Sequence, residues 1–376
     1  MHVLHIITGL SDGGAEAILY RMCKFDKEYK HTVISLMGKQ KYGPMLTNIG
    51  VDVHVLEFSK GKIRLLGLYE LYKFIKQIKP DVVQTWLDHA DLIGGVIARL
   101  AGIKNIVWGV HHTALVRGES KLSTICISKI NVFLSYFIPK KIIYCAEESR
   151  IAQEKIGYKK TKGQVVRNGY DIEGFIQNKY LGENFRNELG IPINSLLIGH
   201  VGRYDPQKDL SNLIEAFALL NRDNFDFYAV IIGTDLDYNN QDLVCMLNKN
   251  GLEERVNLQG RRNDIVAVMN GIDLFVLSSK SEAFPNVLNE AMLCGTPCIT
   301  TNVGDARVIV GDTGWVVTPK NPQVLAKTIL QAAKEKQSNN NSWLQREAAC
   351  RQRVVENFSL NEMVKKYKEV WSCADK

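Results

Sequence analysis

Strand-like and helix-like patterns alternate from the first residue, then start over in the second half of the chain. This doubled βαβα rhythm constrains the fold more than any other feature. In the first half, short β runs lie at residues 3–8, 31–37, 51–58, 81–85, 106–110 and 141–145, with helical stretches such as 65–78 and 90–101 between them. The rhythm restarts at 196–201 and continues through 227–232, 256–258, 274–277, 297–300 and 314–317. Such alternation builds a parallel sheet covered by helices on both faces. The fold class is therefore α/β, with two Rossmann-like, doubly wound sheets. The Gly/Asn-rich piece at 168–184 is the natural boundary, giving domains at 1–175 and 185–355. The segment KQSNNNSW (336–343) reads as a loop. A last helix, within about 356–376, places Met363, Tyr367, Val370 and Trp371 near one face and docks back on the first domain. Two such halves put a ligand cleft where strand ends converge.

Composition narrows the class. A length of 376 residues suits two cores, and the net charge of +7 is mild. It permits a basic patch for phosphate or an anionic membrane surface, but no Lys/Arg block is dense enough for nucleic acid. Eight scattered cysteines, without CxxC pairs, suit reduced thiols in a cytoplasmic protein, not disulfides or zinc. The start, MHVLHIITGL, lacks the features of a signal peptide, and no apolar window reaches transmembrane length. One segment comes near. Residues 122–138, LSTICISKINVFLSYFI, carry a single charge, Lys129, and run into Pro139-Lys140-Lys141. They form either a buried helix or an amphipathic one lying on a membrane, and the lysines favour membrane contact.

Chemistry concentrates at 278–299, SSKSEAFPNVLNEAMLCGTPCI. Glu282 and Glu290 lie eight apart, separated by a Phe-Pro-Asn break and an apolar-periodic run. The spacing predicts a helix with Asn286 as its cap, Glu282 on the loop before it and Glu290 about one turn in. A helix N-terminus near Asn286, Val287 and Leu288 is a seat for phosphate. Carboxylates on either side of it suit hydroxyls, as on ribose and a sugar. A capped surface helix with glutamates at favourable positions would show the same spacing.

The loop after the strand at 196–201 carries Arg203 and Lys208, two cations suited to a diphosphate leaving group, though exposed charges would read the same. Gly13 and Gly14 follow the first strand and allow close backbone approach, yet the loop matches neither GxGxxG nor a P-loop. His89, His111 and His112 follow strands at the ends expected to line the site, where a histidine positions a hydroxyl or stabilises charge. There is no GxSxG, no HExxH and no acidic pair after a strand, so neither a metal nor a covalent intermediate is expected.

With these residues in view, nearly the whole chain resembles the retaining GT-B glycosyltransferases of family 4. The likeness rests on GGAE (13–16), a strand ending in His111, RNGYD (167–171), VGRYDPQKD (201–209), LQGRRNDI (258–265) and SEAFPNVLNEAMLCGTPCI (281–299). The resemblance implies transfer of a sugar from a nucleotide-diphosphate sugar with retention, without metal or other cofactor, and favours a UDP-sugar over a GDP-sugar. It gives Glu290 the ribose hydroxyls, Glu282 the transferred sugar, and Arg203 and Lys208 the diphosphate. Backbone N–H groups at 286–288 would assist, and Arg261 and Arg262 would lie near the base. Gly13 and Gly14 would approach phosphate or acceptor. His111 would be the cleft histidine, with His112 its competitor. Where many relatives carry an acidic residue shortly after the glycine equivalent to Gly304, this chain reads DARVIV, and Asp305 is placed to take part of that role.

The segments WLDHADLIGG and WGVHHT are similar to those of bacterial surface-polysaccharide transferases, such as O-antigen, capsule and exopolysaccharide enzymes. That implies a glycan or polyprenol-linked acceptor and a cytoplasmic protein peripheral to the inner membrane. A nucleotide-sugar 2-epimerase on the same fold, or a sugar-nucleotide-binding protein without activity, would be the other readings.

Overall fold

The computed structural model describes residues 1–59, 64–112 and 122–373. It divides into two units, residues 1–169 with 360–376, and residues 170–359. The chain thus leaves the first unit within the NGYD segment and returns at Leu360, five residues past the end expected for the second domain.

 The two crossings fall at Gly169–Tyr170 and Ser359–Leu360.

Unit one holds a seven-stranded parallel sheet: β1 (His2–Ile7), β2 (Lys30–Ser35), β3 (Asp52–Val55), β4 (Val82–Trp86), β5 (Ile106–Val110), β6 (Lys141–Tyr144) and β7 (Gly163–Val165), in the spatial order β3-β2-β1-β4-β5-β6-β7. Unit two holds six strands: β8 (Leu197–Val201), β9 (Tyr228–Ile232), β10 (Val256–Gly260), β11 (Leu274–Leu277), β12 (Cys298–Thr301) and β13 (Trp315–Val317), in the order β10-β9-β8-β11-β12-β13. Both sheets are buried on two faces, which is why their strands read as near-continuous apolar runs. In β1, Val3 and Ile7 pack on one face while Leu4 and Ile6 pack on the other.

Strand order reverses at β1/β4 in unit one and at β8/β11 in unit two, with Ile7 opposite Trp86 and Phe275 opposite Gly199. Beyond the carboxyl ends of such paired strands the connecting loops diverge to opposite faces, leaving a crevice where ligands bind in doubly wound sheets. Of the candidate residues, Gly13, Gly14 and His89 follow β1 and β4, and Arg203, Lys208 and Glu282 follow β8 and β11, whereas Arg261 and Arg262 follow β10 at the sheet edge.

The last helix, Leu360–Cys373, packs within unit one, burying Met363, Val364, Tyr367, Val370 and Trp371. A buried polar chain anchors it. Trp86 Nε1 lies 3.2 Å from His5 Nδ1, His5 Nε2 lies 2.9 Å from His31 Nδ1, and His31 Nε2 lies 3.2 Å from Asp26, which also takes Lys368 Nζ at 2.8 Å. An indole N–H can only donate, so His5 accepts at Nδ1 and carries its proton on Nε2; His31 then donates from its own Nε2 to Asp26. Burial opposes the charge on Asp26, but the bonds from His31 and Lys368 outweigh it and hold its carboxyl below the usual range.

One expectation fails outright. Residues 336–343 are not a loop: helices Pro322–Ser338 and Asn340–Asn357 meet there with Asn339 alone between them. The Asn339 side chain accepts the Ser342 N–H at 3.0 Å and caps the second helix, while Trp343 is drawn into the core. A polar run that looks like a linker is in fact a cap followed by an anchored first turn.

Candidate active site

In unit two, β8 ends at Val201 and the chain runs through Arg203 to a single turn of 3-10 helix, Pro206–Lys208. Asp205 caps that turn by accepting the Gln207 N–H at 2.9 Å. Two bonds fasten the turn to the end of β11: Ser278 Oγ donates to the Lys208 carbonyl at 2.9 Å, and the Lys280 N–H donates to the Gln207 carbonyl at 2.8 Å. The result is a shielded ion pair, with Lys208 Nζ 2.5 Å from Glu282 Oε1. Ser279 Oγ donates to the same oxygen at 2.8 Å. Thr301 at the end of β12 in turn holds the Ser279 carbonyl at 2.5 Å. Charge-assisted bonds on a partly desolvated carboxylate of this kind fix a side chain firmly.

Gly304 completes the seat. Its φ is +50°, and a Cβ there would come within 2.3 Å of both the Glu282 and Ala283 carbonyl oxygens. Only glycine lets the backbone press so closely under the loop that carries Glu282. The neighbouring Asp305 is buried, and its N–H donates to the Ala283 carbonyl at 3.0 Å.

The following helix is Asn286–Leu293, and its cap position is Pro285, with no side-chain cap. Asn286 is therefore the first helical residue and not the cap expected; its side-chain oxygen accepts a short hydrogen bond from the Tyr170 hydroxyl instead. A proline at the entry lacks the N–H that a helix start would leave unpaired. The N–H groups of Asn286, Val287 and Leu288 belong to the helix's first turn, and that of Leu288 donates to the Pro285 carbonyl at 3.2 Å. Glu290 stands one turn further in and is partly exposed.

Arg203 is exposed, with Asp205 3.9 Å away, a spacing that constrains it little. Arg261 is exposed just beyond β10. Arg262 is different. Its five N–H groups go to Glu188, Asp264 and Gln259, and the guanidinium lies 5.2 Å from the Phe185 ring centre. It braces unit two and has no donor left for the nucleotide contact expected of it. Sequence reasoning missed Ser278, Ser279 and Thr301; hydroxyls flanking a loop carboxylate were the available signal. It also missed His200, buried beneath the site, whose Nδ1 bonds the Val276 carbonyl at 3.0 Å. Burial pulls its pKa down to about 4.

In unit one, Gly13 precedes the helix Gly14–Phe25, and a Cβ on Gly13 would meet Glu16 Oε2 at 2.3 Å. Glu16 folds back over the helix start, where Ser11 Oγ donates to it at 3.1 Å and the helix dipole favours its charge. After β4, Leu87 adopts φ +75° and donates its N–H to the Gly109 carbonyl at 2.9 Å, a strained bend of the sort found at functional sites. His89 follows in the first turn of helix Asp88–Leu100, with no side-chain partner among the described residues.

The two adjacent histidines separate cleanly. His112 Nε2 lies 2.8 Å from an Asp88 oxygen, and Gln153 Nε2 lies 3.3 Å from His112 Nδ1, so each ring nitrogen faces a polar group. His111 stacks on Trp86, with ring centres 5.1 Å apart, and its Nε2 has no partner among the described residues. Burial lowers the His111 pKa to about 3, so the ring is neutral.

Among the described residues, the histidine, cysteine and carboxylate atoms close enough to share an ion are those of His5, Cys23 and His31. The Trp86 bond places the His5 proton on the nitrogen that would have to bind, and both histidines are already paired. The trio does not fit a metal.

A family model described as glycosyltransferase family 4 matches residues 2–173, and another described as glycosyl transferases group 1 matches residues 182–347. The chain belongs to the family 4 glycosyltransferases. Among similar proteins, an Escherichia coli UDP-Gal:alpha-D-GlcNAc-diphosphoundecaprenol alpha-1,3-galactosyltransferase is 28% identical over 81% of this chain and 78% of its own length. The Staphylococcus aureus capsular polysaccharide biosynthesis glycosyltransferase CapM is 26% identical over 73% of this chain and 74% of its own. In fold, the glycosyltransferase superposes on Anabaena HepE, solved with UDP, at a TM-score of 0.85 and 23% identity, covering 99% of this chain and 100% of that one. It also superposes on WaaG, a glycosyltransferase of lipopolysaccharide biosynthesis, at 0.72 and 16% identity, covering 98% and 99%. The architecture is GT-B.

Proposed function

We propose that this glycosyltransferase moves a sugar, with retention of configuration and without a metal, from a UDP-sugar to a hydroxyl of a polyprenyl-diphosphate-linked glycan, in assembly of a bacterial surface polysaccharide. The observation that carries the donor side of this reading is the Lys208–Glu282 pair, braced by Ser279, at the switch point beside the helix start at Asn286. The names of similar proteins support the rest: UDP and UDP-glucose appear with HepE, and a diphosphoundecaprenol acceptor and UDP-galactose with the Escherichia coli relative.

In this reading the sugar C1–O bond to the β-phosphate breaks as the acceptor oxygen attacks C1 from the same face, and the acceptor proton passes to the departing phosphate oxygen. Lys208 and Arg203, with the N–H groups at 286–288, take up the charge on the diphosphate. A charged lysine and arginine supply what a divalent ion would otherwise provide. Glu290 accepts from ribose hydroxyls, Glu282 from a sugar hydroxyl, and Arg261 lies near the base. The open Nε2 of His111 serves a sugar hydroxyl or the developing charge. Gly13 and Gly14 give close approach to acceptor or phosphate, and His89 and His112 belong to the acceptor side.

The test is purified protein incubated with UDP-galactose or UDP-glucose and a GlcNAc-diphosphoundecaprenol acceptor, with UDP release measured and the product's anomeric configuration read by NMR. An α-linked product formed in the presence of EDTA supports the reading. A β-linked product, or a free epimerised donor formed without acceptor, contradicts it.

A further inference from the structure

We propose that the Tyr170 hydroxyl is a positioning group for the donor diphosphate, acting through Asn286, the first residue of helix Asn286–Leu293. The proposal rests on the donor-site reading above, in which the NGYD segment has no part. Tyr170 is fully buried and opens unit two. Its N–H donates to the Phe358 carbonyl at 2.9 Å, and its backbone bridges Ser359, the last residue of the same unit. The two ends of the unit are thereby knitted together, and the tyrosine is anchored at its root. A buried tyrosine usually finds a partner for its hydroxyl. Here the partner is Asn286 Oδ1, 116 positions later, to which the hydroxyl donates.

The break before the helix has a second tie to the same place: the Phe284 ring meets the Phe358 ring edge-on, with centres 5.8 Å apart. The far end of the helix is fastened just beyond Tyr170. Arg351 Nη1 donates to the Phe175 carbonyl at 2.7 Å and to the Leu293 carbonyl, and Nη2 donates to the Ile172 carbonyl at 3.1 Å. Residues 170–175 thus frame both ends of the helix that carries Glu290. Ring packing and Arg351 set where the helix lies, and the Tyr170 hydroxyl fixes an atom at its start. No side chain caps this helix, so Asn286 is held from the side by Tyr170. Backbone N–H groups stabilise a developing charge when they are aimed before it forms, and a hydrogen bond on the first helical residue restrains that aim. An amide that accepts at Oδ1 also turns its Nδ2 donors away from the tyrosine. Asn286 is only half-buried, so without the hydroxyl its amide turns to water at little cost to the fold.

Isothermal titration of UDP into wild type, Tyr170→Phe, Asn286→Ala and the double variant tests this. Tyr170→Phe should raise the Kd about 3- to 10-fold, the weight of one hydrogen bond, with little change in the denaturant midpoint. In the Asn286→Ala background the same substitution should add nothing, because the bond is already gone. Uridine, which has no phosphate, should bind wild type and Tyr170→Phe alike in an NMR titration. A wild-type Kd for UDP in Tyr170→Phe, effects that multiply in the double variant, or an equal loss for uridine would each overturn the proposal. Glu290→Ala separates it from the donor-site reading: if that variant binds UDP more weakly while Tyr170→Phe does not, the donor site stands and the role of Tyr170 falls. If wild type binds no UDP, both fall.

Discussion

Lys208 Nζ lies 2.5 Å from Glu282 Oε1, and both side chains are largely shielded from solvent. The two residues are 74 positions apart in sequence and meet because β8 and β11 are neighbours at the switch point. The lysine is thereby held in place before any substrate arrives, which is the preorganisation that electrostatic catalysis requires.

Lys208→Met removes that charge while keeping most of the side chain's bulk. The turnover rate with a UDP-sugar should fall about 10²–10³-fold. Steady-state kinetics of UDP release check this, and a rate within twofold of wild type would exclude Lys208 from leaving-group stabilisation.

His111 and His112 should respond in opposite ways. His111→Phe keeps the stack on Trp86 but removes the open nitrogen, so turnover should drop about tenfold or more with little change in melting temperature. His112→Ala takes a partner from the buried Asp88, so it should cost about 1–3 kcal/mol of stability. Paired kinetic and denaturant measurements on the two variants separate these outcomes.

Gly304→Ala should destabilise unit two by at least about 2 kcal/mol, since a φ of +50° strains any other residue and two carbonyl oxygens stand 2.3 Å from the new carbon. Donor affinity should weaken with it, because those carbonyls belong to Glu282 and Ala283. Denaturant melts with a UDP titration check both effects.

Acid should destabilise the protein well above the usual carboxylate range. Burial lowers the pKa of His5 far below normal, of His111 to about 3 and of His200 to about 4, so all three are neutral when folded. Below about pH 6.5 the unfolded chain binds protons that the folded chain refuses, and each histidine costs about 1.4 kcal/mol per pH unit. Asp91 and Glu347 work in the other direction: burial raises both pKa values, so they favour the fold as pH falls. Three histidines outweigh two carboxyls, and stability should fall between pH 6.5 and 5. Denaturant melts across that interval check the slope, and a flat profile would contradict the assignment.

Much of this was legible in the chain. The doubled rhythm marked both sheets because fully buried parallel strands leave unbroken apolar runs such as IVWGV and LFVL. Glu282 and Glu290 were visible because the Phe-Pro-Asn break marks a helix entry. What could not be read is pairing across distance. Arg262 looked like a base contact until Glu188, 74 residues earlier, was found beside it. The choice between His111 and His112 depended on Asp88 and Gln153, which only the folded sheet edge brings near. Asn339 read as one more linker asparagine, although it caps a helix.

The central claim is that the loop and helix around Glu282 and Glu290 bind the donor nucleotide. Isothermal titration of UDP into wild type and Glu290→Ala tests it most directly. Loss of a charged acceptor for ribose hydroxyls is worth about 1.5–3 kcal/mol, so the variant's Kd should rise roughly 10- to 100-fold. Equal affinity in the two proteins, or no binding of UDP to wild type, would contradict the account.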